Sequence, residues 1–182
     1  TKLGYIFANT PRQVNVLLIH PMQDCYLTYD RKQDKKSVLE TEESFYALSK
    51  ELAEQGIAFH YADETLLKES GKVEGNALTL GEKAYDYVIL PNRKSINAST
   101  QSLLNEFVAV GGRLCVLGEY PTYIQGERYC QPIQSTISYD EILSVNASMI
   151  KSDGKLFQRY CKGDLGEFIF LLNTDEKEVL CQ

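Results

Sequence analysis

The chain has 182 residues, 43% of them hydrophobic, with 25 acidic against 19 basic side chains and a formal charge of −6. That length supports one main core plus a small appendage, and the acidic balance argues against a nucleic-acid partner, because a polyanion is repelled on average. The longest apolar runs, Val14 to Ile19 and Phe168 to Leu172, are too short to cross a bilayer, and no charged-then-apolar leader opens the chain.

The chain begins at Thr1 rather than Met, which points to a removed leader or to excision from a longer chain and leaves localisation open. Val14-Asn-Val-Leu-Leu-Ile19 is a nearly continuous apolar run, as expected of a strand buried on both faces of a parallel sheet, and it ends at His20-Pro21. After the polar stretch Asp30 to Lys36, Ser37 and Glu40 stand at capping-box spacing, and Phe45, Leu48 and Leu52 line one face of a helix that Gly56 ends. Ile57 to Tyr61 reads as a second strand, with Asp63-Glu64 just past it, and Leu66 to Gly75 as a short helix and a turn. Ala77 to Leu80 and the turn at Gly81 form a small ribbon that feeds the third core strand, Tyr85 to Leu90, which stops at Pro91.

From Ser99, a helix carrying Leu103, Leu104, Phe107 and Val108 runs to Gly111-Gly112, ahead of the strand Arg113 to Leu117. Ser138 and Glu141 repeat the capping-box spacing and announce another helix. The alternation of strands and helices with short connections predicts an α/β fold, a flavodoxin-like three-layer sandwich with a mostly parallel sheet. Past Lys151, Phe157 to Cys161 and Glu167 to Asn173 read as strands joined at Gly163-Asp164, with a third beginning at Glu178. Such strands either dock on the α/β domain or open a β-sandwich; the chain stops inside an apolar segment, which favours the second. The expected division is a connector over 1–13, an α/β domain over 14–150 and a β segment over 151–182.

Ligands of open parallel sheets gather at the carboxyl ends of the strands. Here those ends define a rim whose candidate site residues are His20, Gln23, Tyr26, Asp63, Glu64, Asn92, Glu119 and Tyr120. His20 has the pKa range of an acid or base, though a histidine bonded in a strand-end turn is the simpler expectation. Glu119 with Asp63 or Glu64 would supply a glycosidase-like carboxylate pair if the fold brought them together; a surface acidic rim is the alternative. Tyr26, Tyr29, Tyr120 and Tyr123 suit a sugar, another domain or local packing. His-Pro-Met-Gln-Asp after the first strand is no phosphate loop, which speaks against nucleotide and flavin binding. The five cysteines, Cys25, Cys115, Cys130, Cys161 and Cys181, lack metal or disulfide spacing and fit reduced thiols in a cytoplasm. Cys115, within a strand, reads as a buried structural thiol. No cofactor or metal is expected. The triplets at Asn97 and Asn146 are of the kind that arise by chance.

Three segments carry a family resemblance: Val14-Asn-Val-Leu-Leu-Ile-His-Pro21 with the Tyr26 to Tyr29 segment, Tyr85-Asp-Tyr-Val-Ile-Leu-Pro91, and Leu104-Asn-Glu-Phe-Val-Ala-Val-Gly-Gly-Arg-Leu-Cys-Val-Leu-Gly118. Through them the chain, over about Thr1 to Ile150, resembles the class I glutamine-amidotransferase-like domain of multidomain glycoside hydrolases, including the trimerisation domain of family 42 β-galactosidases. The resemblance implies a catalytic barrel before the domain and a β-sandwich after it as partners, with catalysis in the barrel and none on this chain. Homo-oligomerisation and a carbohydrate near the rim are left open by it. True amidotransferases carry a Gly-x-Cys-x-Gly elbow, whereas the matching turn here reads Gly118-Glu-Tyr-Pro121.

Overall fold

The computed structural model describes residues 2–29, 36–128, 131–145, 150 and 153–180. Cys130, Cys181, the Asn146 triplet and residues 30–35 of the polar stretch lie outside them. In chain order the elements are α1 (Lys2–Asn9), β1 (Val16–Ile19), α2 (Met22–Thr28), α3 (Lys36–Glu54), β2 (Phe59–Ala62), α4 (Glu64–Ser70), β3 (Gly71–Glu74), β4 (Ala77–Leu80), β5 (Lys83–Tyr85), β6 (Tyr87–Leu90), β7 (Ser95–Ile96), α5 (Ala98–Ala109), β8 (Arg113–Val116), β9 (Tyr123–Ile124), β10 (Glu127–Arg128), α6 (Tyr139–Val145), β11 (Leu156–Gly163) and β12 (Gly166–Asn173).

β1, β2, β6 and β8 form a four-stranded parallel sheet in the order β2-β1-β6-β8. The apolar run of β1 works as its continuity predicts, since all four residues are buried and alternate between two cores. Leu17 and Ile19 join Val88, Leu90, Leu114, Leu104 and Phe107 on one face, which α4, α5 and the β3-β4-β5 meander cover. Val16 and Leu18 join Tyr87, Ile89 and Cys115 on the other, covered by Leu52 of α3 and Ile142 of α6. Burying each such side chain contributes roughly 1.5–3 kcal/mol, so β1 and the equally buried β6 anchor the sheet at its centre. The mixed α/β class holds, and the smaller sheets are built wholly or partly from antiparallel pairs.

The two capping-box spacings have different outcomes. At α6 the box closes: Glu141 N donates to Ser138 Oγ at 3.2 Å, and Ser138 N donates to Glu141 Oε2 at 2.9 Å. At α3, Ser37 lies inside the helix, where its carbonyl accepts from Thr41 Oγ1. Ser37 is therefore a residue of the helix rather than its cap. The turn expected after α4 is the first strand of the meander, and Glu178 to Leu180 form no strand.

The N-terminal segment, residues 2–13, contains a helix, α1, and meets the C-terminal hairpin. Arg12 forms an antiparallel bridge with Cys161, Lys162 N donates to Pro11 O at 3.3 Å, and Phe7 packs on Phe170 with ring centroids 4.4 Å apart. The hairpin β11-β12 thus docks on the start of the chain, while Leu171 and Leu172 stay exposed.

Candidate functional site

The carboxyl ends of the four parallel strands gather the rim residues, but into two hollows. The first, about 380 Å³, lies beyond β1 and β2 and is lined by His20, Gln23, Tyr26, Tyr61, Asp63 and Glu64 among others. The second, about 620 Å³, lies where the strand order reverses between β1 and β6; Asn92, Glu119 and Tyr120 line it with Asp24, Arg93 and hydroxyls of α3. Five of the eight rim residues therefore face one hollow and three the other. Glu119 does not share a hollow with Asp63 or Glu64.

The polar groups of the rim have structural work. Asp63 caps α4, its Oδ1 accepting from Thr65 N at 2.8 Å and Leu66 N at 2.9 Å. Glu64, next along the chain, points inward to a fully buried ion pair with Arg93, Nη1 to Oε1 2.9 Å. The pair is closed on both sides: Arg93 Nη2 donates to Ile19 O at 3.1 Å, and Asn97 N donates to Glu64 Oε2 at 2.7 Å. Burial lowers the Arg93 pKa, while Glu64 and then Asp24 hold it up. The guanidinium stitches the ends of β1 and β6 to the start of α4. Asp24, also buried, accepts from the backbone N–H groups of Lys94 and Ser95 at 2.7–2.9 Å and so fastens α2 to β7.

Arg93 and Asp24 escape a reading by sequence. Arg93 stands two residues past the strand-ending Leu90-Pro91, in the same rim position as Glu64 after β2. That matched placement of opposite charges was the available signal.

His20 borders the first hollow, with its ring edge against Phe45 at 4.5 Å and its Nδ1 buried without a hydrogen-bond partner. Burial, then Arg93, lowers its pKa against the pull of Asp63, which favours the neutral imidazole. Tyr26 and Tyr61 expose 67% and 53% of their surface, enough to present aromatic faces to a ligand or partner. Tyr120 is half-buried, and Tyr123 lies on β9.

The thiols sit apart from this geometry. Cys115 lies within β8, facing the α3 and α6 side, and burial pushes it up to about 11. Burial raises Cys25 as well, helped by Asp24 and Glu42. Neither is a thiolate at neutral pH, which is the reactive form. The turn after β8 is made by Gly118 at φ 72°, where a side chain would be strained and its Cβ would come within 2.9 Å of Asn92 Cγ.

No protein-family model matches the chain, and no curated protein matches it significantly. Among solved structures it is similar to a GH42 beta-galactosidase from G. stearothermophilus, at 10% identity and TM-score 0.42 over 93% of this chain and 24% of that one. It is also similar to alpha-L-fucosidase isoenzyme 2 from Paenibacillus thiaminolyticus, at 17% identity and TM-score 0.35 over 98% and 23% of the two chains. A beta-galactosidase from Bacillus circulans sp. alkalophilus shares 16% identity with a TM-score of 0.39 over 94% and 25%. The chain thus spans about a quarter of the length of each.

Proposed function

We propose that the chain is a flavodoxin-like, glutamine-amidotransferase-like domain of a larger glycoside hydrolase. There it serves as a non-catalytic scaffold that packs against a barrel, a β-sandwich or a second copy. The observation that carries this reading is the structural use of the rim's charges: Asp63 caps a helix, and Glu64 and Asp24 bind buried partners in the fold. The turn Gly118-Glu-Tyr-Pro121 has Tyr120, not cysteine, at the third position of the amidotransferase elbow. The strand order second-first-third-fourth supports the flavodoxin-like assignment, being that of doubly wound sheets. The parent activity rests on the sequence resemblance.

The test is the reading frame that encodes the chain. A barrel-coding segment upstream is the expected outcome; a start codon immediately before Thr1 overturns the scaffold reading. A second reading, a small-ligand or hydrolytic domain working alone, is favoured by the unpartnered His20 Nδ1 in the first hollow. Turnover of aryl glycosides or glutamine that is lost in His20→Ala or Glu119→Gln would select it.

A further inference from the structure

The carboxylates of α3 are treated unequally. Glu40 pairs with Lys36 at 3.8 Å and Glu54 with Lys50 at 4.0 Å, each one helical turn away. Glu42 and Glu43 are exposed, and among the described residues neither is in an ion pair. The helix offers them no cation, because Leu39 and Tyr46 stand three or four residues to either side of both. Leu39, Glu42, Glu43 and Tyr46 thus share one face of α3, outside the stripe of Phe45, Leu48 and Leu52 that meets the core, and Leu39 and Tyr46 are exposed on it.

That face borders a hollow of about 500 Å³ whose lining includes Leu39, Glu42, Glu43 and Tyr46 with His20 and Tyr61. His20 and Tyr61 also line the first hollow of the rim, about 380 Å³, where they stand with Tyr26, Asp63 and Leu66. The two hollows adjoin over an aromatic ridge. His20 lies edge-on to Phe45 at 4.5 Å, and Phe45 lies 5.6 Å from Tyr61 between ring centroids. Tyr26, Tyr46 and Tyr61 each expose more than half of their surface. No lysine or arginine among the described residues lines either hollow.

We propose that these adjoining hollows dock a partner protein through a segment that carries arginine. A tyrosine ring presents a negative face to a cation, and a carboxylate without a partner supplies the counter-charge. A guanidinium meets both demands at once, because its flat face stacks on a ring while the N–H groups of its edge reach a carboxylate. Leu39 lines one hollow and Leu66 the other, so apolar contacts extend to both sides of the ridge, over a span that suits a length of chain rather than one small cation. Tyrosine and arginine are also the side chains enriched at the centres of protein interfaces. The surface deepens the scaffold reading by naming the chemistry of the partner, and rests on that reading for the partner being a neighbouring domain or copy.

The probe is a capped pentapeptide with two arginines, titrated into isotope-labelled protein and followed by NMR, with lysine and citrulline versions in parallel. Saturable shifts are expected at His20, Tyr46 and Tyr61, with the lysine peptide about threefold weaker and the citrulline peptide without saturation. Shifts scattered over the acidic surface, or equal affinity for the arginine and lysine peptides, overturn the proposal. Tyr46→Ala, and Glu42→Gln combined with Glu43→Gln, alter only exposed side chains. Each is expected to weaken the arginine peptide about fivefold, and unchanged affinity in either overturns the surface as drawn. The reading frame remains a separate check. An upstream barrel without arginine-selective binding removes this surface and keeps the scaffold, whereas arginine-selective binding by a chain whose frame starts at Thr1 does the reverse.

Discussion

The two ends of the parallel sheet handle a guanidinium in opposite ways. At the carboxyl end, Arg93 is fully buried, yet Glu64 and the Ile19 carbonyl meet its two terminal nitrogens. At the amino end, Arg12 is only half-buried, yet its neighbours are Arg159 and His60 and it has no anionic partner among the described residues. Depth alone does not decide what a charge is for. A buried charge that meets its counter-charge fastens the elements around it, whereas one without an anionic partner only carries its desolvation cost.

Breaking the compensated end has the largest effect. Glu64→Ala strands Arg93 in the core and is expected to destabilise by about 3–5 kcal/mol, measured by urea unfolding. Removing both charges, Glu64→Leu with Arg93→Met, is expected to recover more than half of that loss; a double variant as unstable as the single one would show that the pair's neighbours, not its charge, set the cost. Asp24→Ala removes the acceptor of two backbone N–H groups and is expected to cost about 2–3 kcal/mol. Asp63→Ala removes only a cap and is expected to cost about 1 kcal/mol.

The pH dependence of stability samples both ends together. The folded pKa values of His20 and His60 lie below the ordinary histidine value, burial being the leading cause at each. Just below pH ~6.5 the unfolded chain takes up protons that the folded chain refuses, so the histidines' contribution to stability is level above that pH and falls as pH drops through the window beneath it. Glu141 and Glu167, whose pKa values are lowered from 4.5, act only at more acidic pH. Replacing both histidines by glutamine is expected to flatten the slope between pH 6.5 and 5; an unchanged slope would assign it to other groups. The smallest effect is expected at Arg12. Arg12→Gln changes stability by no more than about 0.5 kcal/mol, against the large loss at Glu64, and the contrast disappears if Arg12 has a partner in solution.

Much of the architecture is legible along the chain. The apolar continuity of Val16 to Ile19 and Tyr87 to Leu90 marks strands buried on both faces, and both prove to be so. The capping box at Ser138 and the glycine stop at Gly111 are local chemistry that local sequence specifies. The short elements were missed: α1, α2 and the β7-β9-β10 sheet have too few residues for a period to show. The eight rim residues do reach the strand ends as the βα alternation implies, but their division between two hollows depends on how α2 and α3 pass over the sheet.

By itself, then, the sequence determined the α/β class, the buried strands and the glycine turn at Gly118, because these depend on residues close in the chain. Only the tertiary structure decided which charges are paired. Glu64 and Arg93 are 29 residues apart, and Arg12 lies against a hairpin at the other end of the chain. A charge is compensated or left open by what the fold brings within a few ångströms of it, and sequence spacing does not record that distance.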